Sequence, residues 1–367
     1  MKICFLTKTL NTDCGLGRYS REVIERINKK KEFEIIVLTE EPSDFPLAKP
    51  VLNNSLNNIF FIFINALKIR KYIRQSDIIH CLDAYPYGVI GALANLGLKR
   101  KFVISVVGSY SLAPLEQKIK GLLLRWAYRK ADCVLSISSF IQKEVLKRVR
   151  IKNAQVVNLG IDFDKFQIGD FINNRESKRE KVILSVGELK RRKGYHISIP
   201  AMVEVKKKYP GFKYYIVGHQ DNRLFFLKLK KLAKKLNLDN NIVFLEKISD
   251  RDLIKLYHQS DLFLLTSVNI GLHCEGFGLV YLEANACGKP VIGTYNCGAE
   301  DIITNGYNGF LVPQNDIKKT SQAILEILDD SQLARQMGEN GIKKAREMSW
   351  QKTIEKYIEV YRKIELL

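Results

Sequence analysis

The sequence lacks the features expected of a secreted, disulfide-linked or membrane-spanning protein. Its seven cysteines are scattered and none forms a CxxC pair, which argues against a disulfide framework or a zinc site. The longest apolar run, residues 59–67, is interrupted by Asn65 and is far shorter than the roughly 20 residues that cross a bilayer. A strand is predicted from residue 2, which leaves no space for a signal peptide. We therefore expect a cytoplasmic protein.

Acidic residues are scarce relative to basic ones. The 367 residues include 59 Lys and Arg against 39 Asp and Glu, a net charge of +20. Such an excess predicts anionic partners: nucleotide phosphates, anionic lipid or nucleic acid. No nucleic-acid-binding module is present, and the basic residues adjoin Leu and Ile more than stacking aromatics, so we expect no nucleic-acid partner. The length and the 46% hydrophobic content suit two α/β domains.

A complete GxGxxG fingerprint is also missing. The pattern predicts a strand at 2–7, a glycine loop at 11–18, a helix at 19–30 and a strand at 33–38, which is the opening of a doubly wound domain. Gly15 and Gly17 either let the backbone approach a ligand closely or form a tight turn without one. Without the fingerprint, we do not expect a dinucleotide site.

The most informative stretch of the sequence is residues 275–283. Glu275 and Glu283 flank a glycine turn, and a helix is predicted over 280–287, ending at Gly288. The free N–H groups of residues 276–279 would then form a site for a phosphate or a sugar hydroxyl, with both carboxylates facing one ligand. Alternatively, the acidic residues only complement the helix dipole.

Residues 275–294, with Glu275 and Glu283, resemble the paired-glutamate motif of family-four retaining glycosyltransferases. The resemblance implies the GT-B fold, in which two Rossmann-like domains face each other across a cleft. It implies transfer of a hexose or N-acetylhexosamine from a UDP- or GDP-linked donor, with no cofactor and no metal. The domains expected on this basis are residues 1–163, a linker at 164–180, a nucleotide-sugar domain at 181–345, and a helix at 346–367 that crosses back to the first domain.

The resemblance also assigns roles to individual residues. It implies that Glu275 binds the sugar, that Glu283 binds the ribose, and that Lys193 grips the donor diphosphate. The usual partner arginine of that lysine is replaced by Glu188, so Lys190, Arg191 or Arg192 substitutes for it or one cation is absent. The remaining residues expected at the donor site or next to it are Gly15, Gly17, Gly187, Gly218, Lys247, Ile248, Gly276, Phe277, Gly278 and Leu279.

Two further candidates follow a predicted strand of the first domain. His80 and Asp83 stand where a strand ends, the position at which open parallel sheets bind ligands, and are candidates for contacting the transferred sugar. Alternatively, His80 is a core histidine with satisfied hydrogen bonds. The family often has histidines where Leu82 and Val107 stand here. Farther along, residues 162–164 form an Asp-Phe-Asp triplet where the predicted linker begins, and we expect no metal there.

Two segments combine apolar and basic residues. Residues 59–74 and 116–130 lie in a region with 16 basic and 5 acidic side chains between residues 59 and 150. Ile119, Leu122, Leu123 and Trp126 recur at helical spacing. Either such helices lie on an anionic membrane surface, or they pack on their own sheet while their charges meet water.

We therefore predict a glycosyltransferase whose acceptor is a glycan or a lipid-linked molecule, with peripheral membrane attachment left open. Two other functions fit the sequence. One is a GT-B epimerase or phosphorylase acting on a soluble sugar. The other is a nucleotide-sugar-binding protein that has lost catalysis, as Glu188, Leu82 and Val107 would suggest.

Overall fold

The structure is a computed structural model that describes residues 1–54, 58–167 and 180–366. The chain divides into two units, Met1–Leu159 with Trp350–Leu367, and Gly160–Ser349. The divisions fall after 159 and 349, where the sequence predicted 163 and 345. The segment after Leu159 belongs to the second unit because the Ile161 N–H donates to the Met348 carbonyl at 2.9 Å. Most of the predicted linker, residues 168–179, lies outside the described residues.

The first unit contains a seven-stranded sheet in the order β3-β2-β1-β4-β5-β6-β7, and all of its pairs are parallel. The central strands are buried along nearly their whole length and are mostly apolar, because helices cover both faces of a doubly wound sheet. The strands are β1 Lys2–Thr7, β2 Glu34–Thr39, β3 Ala48–Lys49, β4 Ile78–Cys81, β5 Lys101–Val106, β6 Cys133–Ser136 and β7 Ala154–Val156.

The helices of this unit follow the predicted alternation, with one early start. They are α1 Gly15–Asn28, α2 Ile59–Ile73, α3 Val89–Ala94, α4 Ser109–Leu112, α5 Lys118–Lys130 and α6 Ser139–Leu146, with the last helix of the chain, α13 Trp350–Glu365. α1 begins at Gly15, four residues before the predicted helix. Cys14 caps it, since its Sγ accepts the Gly17 N–H at 3.4 Å. The predicted glycine loop is therefore partly the first turn of a helix.

The second unit contains a six-stranded parallel sheet in the order β10-β9-β8-β11-β12-β13. Its strands are β8 Val182–Val186, β9 Lys213–Val217, β10 Ile242–Leu245, β11 Leu262–Leu264, β12 Val291–Thr294 and β13 Gly309–Val312. Its helices are α7 Tyr195–Lys208, α8 Arg223–Lys235, α9 Asp250–Gln259, α10 Leu279–Ala286, α11 Ile317–Asp329 and α12 Ser331–Glu347.

The strand order fixes where a ligand would bind in the second unit. β8 and β11 are neighbours and parallel, so the loops that follow them leave the same edge of the sheet. We call residues 187–194, after β8, the basic loop, and residues 265–278, after β11, the glutamate loop. None of the helices in the described part of the chain combines the length and the apolar character that a bilayer-spanning segment requires.

Candidate functional site

The glutamate loop ends at the start of α10, close to the predicted position. Gly278 has φ +86°, and a Cβ on it would lie 2.6 Å from the Tyr281 ring, so a larger residue would not fit there. The helix begins at Leu279, one residue before the prediction, and no side chain caps it. The Tyr281 N–H donates to the Gly278 carbonyl at 2.9 Å, and the N–H groups of Leu279 and Val280, at the first turn of the helix, are left to a ligand or to water.

Lys193 and Glu275, predicted separately, form one ion pair in the structure. Lys193 Nζ donates to Glu275 Oε2 at 2.5 Å, and both residues are only 8% exposed. Ser267 Oγ donates to the same oxygen at 3.3 Å, and an Arg192 guanidinium nitrogen lies 3.5 Å from it. The basic loop and the glutamate loop therefore meet at this carboxylate.

The surrounding charges keep Glu275 ionised. Burial alone would raise the pKa of this carboxyl, but the Lys193 and Arg192 cations and the hydrogen bonds from Lys193 and Ser267 outweigh it and hold the pKa below its ordinary value. Two cations thus face one carboxylate, which leaves the cluster with a surplus positive charge beside the positive end of α10. This arrangement suits an anionic ligand that has hydroxyl groups.

Backbone contacts fix the two loops against each other. The Val268 N–H donates to the Arg192 carbonyl at 2.7 Å, and Thr266 Oγ1 donates to the Gly194 carbonyl at 2.8 Å. Gly194 has φ +74°, and a Cβ on it would lie 1.6 Å from the Thr266 carbonyl oxygen. Only glycine lets the loops approach this closely. The position of Lys193 therefore depends on Gly194, the residue that follows it.

The unusual Glu188 does not act on the cluster unopposed. Lys190 Nζ lies 2.6 Å from Glu188 Oε1, so their charges cancel locally. Of the three residues expected to replace the missing arginine, Arg192 is the one that lies next to Glu275. Arg192 is therefore the best candidate for the second cation of the site.

Glu283 lies one turn inside α10 and is 8% exposed. Its Oε2 accepts a hydrogen bond from Tyr257 of α9 at 2.8 Å. Lys247 is exposed at φ +54°, just after β10, and Ile248 is half-buried. Gly218 packs on Gly187, whose carbonyl oxygen would lie 2.0 Å from a Cβ on Gly218, so this glycine is required by packing between two loops.

His80 is not placed to contact a sugar, so this prediction needs correction. The residue is fully buried, with Nδ1 2.6 Å from Tyr361 Oη and Nε2 2.9 Å from Ser105 Oγ. Tyr19 Oη continues the network to Ser105 Oγ at 2.9 Å and to Tyr357 Oη at 2.8 Å. Burial lowers the pKa of His80 to about 3. The alternative, a core histidine with satisfied hydrogen bonds, is correct, and here it helps to attach α13.

Asp83 is also buried, at 4% exposure. Its Oδ1 accepts from Ser111 Oγ at 2.6 Å and from the Ala84 N–H at 2.8 Å. Burial raises the pKa of Asp83 to about 7, although these two hydrogen bonds oppose the change. The carboxyl organises the turn after β4, and its burial does not support the predicted contact with a transferred sugar.

Gly15 and Gly17 differ in what surrounds them. A Cβ on Gly17 would lie 2.0 Å from the Asn11 carbonyl oxygen, whereas a Cβ on Gly15 would have no atom within 4 Å. Packing alone therefore explains Gly17, and the space beside Gly15 is open to a ligand.

Among the residues that the structure describes, one group has ligand atoms close enough to hold a metal ion. His219, Asp221 and Glu246 have such atoms within 4.8 Å of one another, and the first two are exposed. Asp162 and Asp164 of the predicted triplet are not part of it. Exposed acidic groups often lie together without an ion, so we assign no metal to this group.

Three contacts of the site were not predicted. Ser267 stands shortly after the end of β11, a position that could have suggested a polar site residue. Thr266 orients the basic loop through a hydrogen bond that no local pattern signals. Tyr257 lies in the last turn of α9, where its spacing indicates only core packing.

Comparison with known proteins gives consistent results for both units. The family described as "Glycosyl transferases group 1" matches residues 169–344, and "Glycosyltransferase Family 4" matches residues 14–165. An uncharacterized glycosyltransferase of Methanocaldococcus jannaschii is 27% identical over 359 residues, 95% of each chain. The GDP-mannose-dependent alpha-(1-6)-phosphatidylinositol monomannoside mannosyltransferase of Mycolicibacterium smegmatis is 27% identical, over 75% of this chain and 74% of its own.

The fold itself has solved counterparts. The structure of Anabaena Alr3699/HepE in complex with UDP matches with a TM-score of 0.83 and 19% identity, over 99% of this chain and 100% of that chain. The two doubly wound units therefore have the GT-B fold.

Proposed function

Because this chain is a group 1 glycosyltransferase, we propose that it moves a hexose or N-acetylhexosamine from a UDP- or GDP-linked donor to a lipid-linked or membrane-proximal glycan, with retention of anomeric configuration. The observation that carries the proposal is the Lys193–Glu275 pair at the start of α10. A carboxylate that binds hydroxyls, a surplus cation and free helix N–H groups are what a sugar joined to a diphosphate requires.

The roles divide by charge. Lys193 and Arg192 stabilise the negative charge that develops on the departing diphosphate, which is electrostatic catalysis of the leaving group. Glu275 and the N–H groups of residues 277–279 hold the sugar hydroxyls, and Glu283 holds the ribose. The two cations supply positive charge that a divalent metal supplies in other enzymes, so we propose that transfer needs no metal.

No enzyme nucleophile takes part in the proposed chemistry, so retention depends on the face from which the acceptor attacks. Glu275 is bound to Lys193 and Ser267, and it serves as a hydrogen-bond acceptor for the sugar. The acceptor hydroxyl attacks from the face that the diphosphate leaves, and a donor phosphate oxygen takes its proton. The bond from the anomeric carbon to phosphate breaks as the bond to the acceptor oxygen forms.

The surface of the first unit supports a membrane-proximal acceptor. Phe60, Phe63 and Leu67 of α2 are 66%, 46% and 73% exposed and lie on one face, with Lys71 and Arg74 farther along it. Apolar side chains beside cations suit an anionic lipid surface, where both are stabilised.

α5 presents a similar face. Ile119 and Leu122 are 62% and 68% exposed, and Leu123 and Trp126 are half-buried on the same side. The residues that pack inward are Gly121, Leu124, Ala127 and Tyr128. This observation favours the membrane alternative over complete packing on the sheet. The named substrate of the M. smegmatis relative is a phosphatidylinositol mannoside, a lipid-linked acceptor.

The test begins with donor binding. UDP- and GDP-linked sugars are screened for an increase in melting temperature, because a ligand that binds only the native state stabilises it. The donor that binds is then incubated with anionic vesicles that carry glycolipid acceptors, and the anomeric product is identified by NMR. We expect release of UDP or GDP and an α-linked product from an α-linked donor. The rate of transfer should be the same with and without EDTA. Donor hydrolysis or epimerisation without transfer to any acceptor would contradict the proposal.

Matched variants locate the activity. Lys193→Ala should abolish most transfer, while Lys208→Ala, which removes a lysine from an exposed ion pair with Asp329 in the same unit, should leave it unchanged. For the membrane face, Phe60→Ser with Phe63→Ser and Leu67→Ser should lower transfer to vesicle-bound acceptors but not to a soluble acceptor. If this variant kept the wild-type rate with the vesicle-bound acceptor as well as with the soluble one, membrane attachment through α2 would be refuted.

A further inference from the structure

Helix α8 of the second unit has an unusual charge pattern. Its 13 residues, RLFFLKLKKLAKK, include six cations and no acidic residue. The nearest acidic residues along the chain, Asp221 and Asp239, lie outside the helix. The helix spans roughly 20 Å at 1.5 Å per residue. It therefore presents a continuous basic strip on the surface of this unit.

The cations of α8 are exposed and have no acidic partner among the residues that the structure describes. They are Arg223, Lys228, Lys230, Lys231, Lys234 and Lys235, and all six are exposed. Counting only residues in 1–54, 58–167 and 180–366, none of them forms an ion pair. Arg223 and Lys230 lie over the Phe226 ring, 5.1 and 5.5 Å from its centroid, which leaves their charge uncompensated.

The lysine-rich composition of the chain does not by itself explain this strip. The preceding helix, α7, ends in three consecutive lysines, and each has a partner. Lys207 binds Glu204 at 2.7 Å, Lys208 binds Asp329 at 2.7 Å, and Lys206 donates to the Asn237 carbonyl. Two of the three lysines that end α7 are thus paired with carboxylates, whereas α8 carries six cations and no acidic residue of its own.

Two leucines lie within the basic strip instead of beneath it. Phe226, Leu229 and Ala233 form the buried face of α8, whereas Leu224 and Leu227 are 75% and 48% exposed, three residues apart on the outer side. Exposed leucines cost free energy in water and contribute little to binding a soluble polyanion. They contribute on a surface that is both anionic and apolar.

We propose that α8 is a docking element for the surface of an anionic lipid bilayer, with its cations at the headgroups and Leu224 and Leu227 inserted among the acyl chains. A nucleic acid would use the cations but would leave the leucines in water, and the strip has no exposed aromatic residue for base stacking. The proposal concerns a surface of the second unit and does not depend on the identity of the donor or acceptor.

The experiment measures binding of the full chain to vesicles of phosphatidylcholine, with or without phosphatidylglycerol, at low and high salt. One variant replaces Lys228, Lys231 and Lys235 by Gln. Each lysine near an anionic surface changes partitioning about fivefold, so the three should lower affinity roughly a hundredfold at low salt. A second variant, Leu224→Ser with Leu227→Ser, should lower affinity about tenfold or more. Circular dichroism confirms that both variants are folded.

Two controls make the outcome specific. Replacing Lys318, Lys319 and Lys343 by Gln removes the same charge from exposed positions of the same unit, and this change should have a much smaller effect. All variants are also measured in a chain that carries Phe60→Ser, Phe63→Ser and Leu67→Ser in α2. This background separates vesicle binding through α2 from vesicle binding through α8.

Binding to heparin and to single-stranded RNA separates lipid from soluble polyanions. We expect the leucine variant to lose vesicle binding while it keeps the heparin and RNA binding of the wild type. The proposal is overturned if the lysine variant binds anionic vesicles as strongly as the wild type. It is overturned as well if the loss of affinity in the lysine variant is no larger than the loss in the control with Lys318, Lys319 and Lys343 replaced. It is also overturned if the leucine variant keeps full vesicle affinity, because α8 would then be a site for a soluble polyanion.

Discussion

Replacing Glu275 by glutamine tests the charge arrangement on which the proposed site depends. The change keeps the size and one hydrogen-bond acceptor but removes the negative charge 2.5 Å from Lys193 Nζ. Lys193 is only 8% exposed, so water cannot replace its partner. Arg192 then remains beside Lys193 with no carboxylate between them.

The size of the effect follows from the geometry. At an effective dielectric constant of about 20, two charges at this distance attract with about 7 kcal/mol before desolvation is subtracted. Removing one partner of a buried pair costs about 3–5 kcal/mol net. For a unit of this size we therefore expect Glu275→Gln to lower the melting temperature by about 10 °C.

The converse change should cost less. In Lys193→Met, Glu275 keeps Ser267 at 3.3 Å and Arg192 at 3.5 Å as partners. We expect this variant to be clearly more stable than Glu275→Gln. The double variant should recover most of the loss, because a neutral, well-packed pair is often as stable as the buried ions. A double-mutant cycle in urea measures this coupling.

Nucleotide binding separates the role of the pair in stability from its role at the site. A donor diphosphate would supply the negative charge that Glu275→Gln lacks, so UDP or GDP should raise the melting temperature of this variant more than that of the wild type. Glu275→Gln should nonetheless lose most sugar transfer. Additive losses in the cycle, or a smaller nucleotide shift in Glu275→Gln than in the wild type, would refute the argument.

Three other predictions concern the first unit. The pKa of Asp83 is about 7 in the folded chain against an ordinary value of 3.8, so the folded state binds the extra proton and stability falls as pH rises through this range. Asp83→Asn removes this penalty, so at about pH 8 the variant should be more stable than the wild type by up to about 4 kcal/mol. Below about pH 4 it should have no such advantage. Equal melting temperatures of the variant and the wild type at both pH values would contradict this prediction. His80→Phe should cost about 1–3 kcal/mol because Tyr361 loses its partner, yet the transfer rate per folded molecule should be unchanged, and a specific loss of rate would restore the catalytic hypothesis. Gly15→Ala should fold normally and lose transfer if the open space beside it holds substrate, whereas Gly17→Ala should fail to fold, as circular dichroism would report.

Much of the second unit could be predicted from sequence because its signals are local. Apolar runs bounded by turn residues predict strands at 182–186, 242–245 and 291–294 and a helix at 250–259, and β8, β10, β12 and α9 have these bounds. The start of α1 was wrong because Cys14 occupies the cap, and cysteine is not among the residues usually found there. A cap that uses a weak acceptor leaves no sequence signal.

The wrong assignment of His80 has a different cause. Its position after a run of apolar strand residues is the same for a ligand-binding histidine and for a buried one. What decides between them is Tyr361, a residue 281 positions away on α13, which reaches Nδ1. Local pattern carries no information about such a partner, so only the folded chain distinguishes the two interpretations.

The same limit applies to Glu188, where the sequence left open a substitute cation, one cation fewer, or a protein that has lost catalysis. An unpaired carboxylate in the basic loop would repel a diphosphate. In the folded chain Lys190 lies 2.6 Å from it, and Arg192, not Lys190, lies next to Glu275. Since Glu188 and Lys190 cancel, the loop still presents Arg192 and Lys193 against a single carboxylate. The substitution therefore leaves the sign of the field at the site unchanged, which is the property that departure of a diphosphate requires.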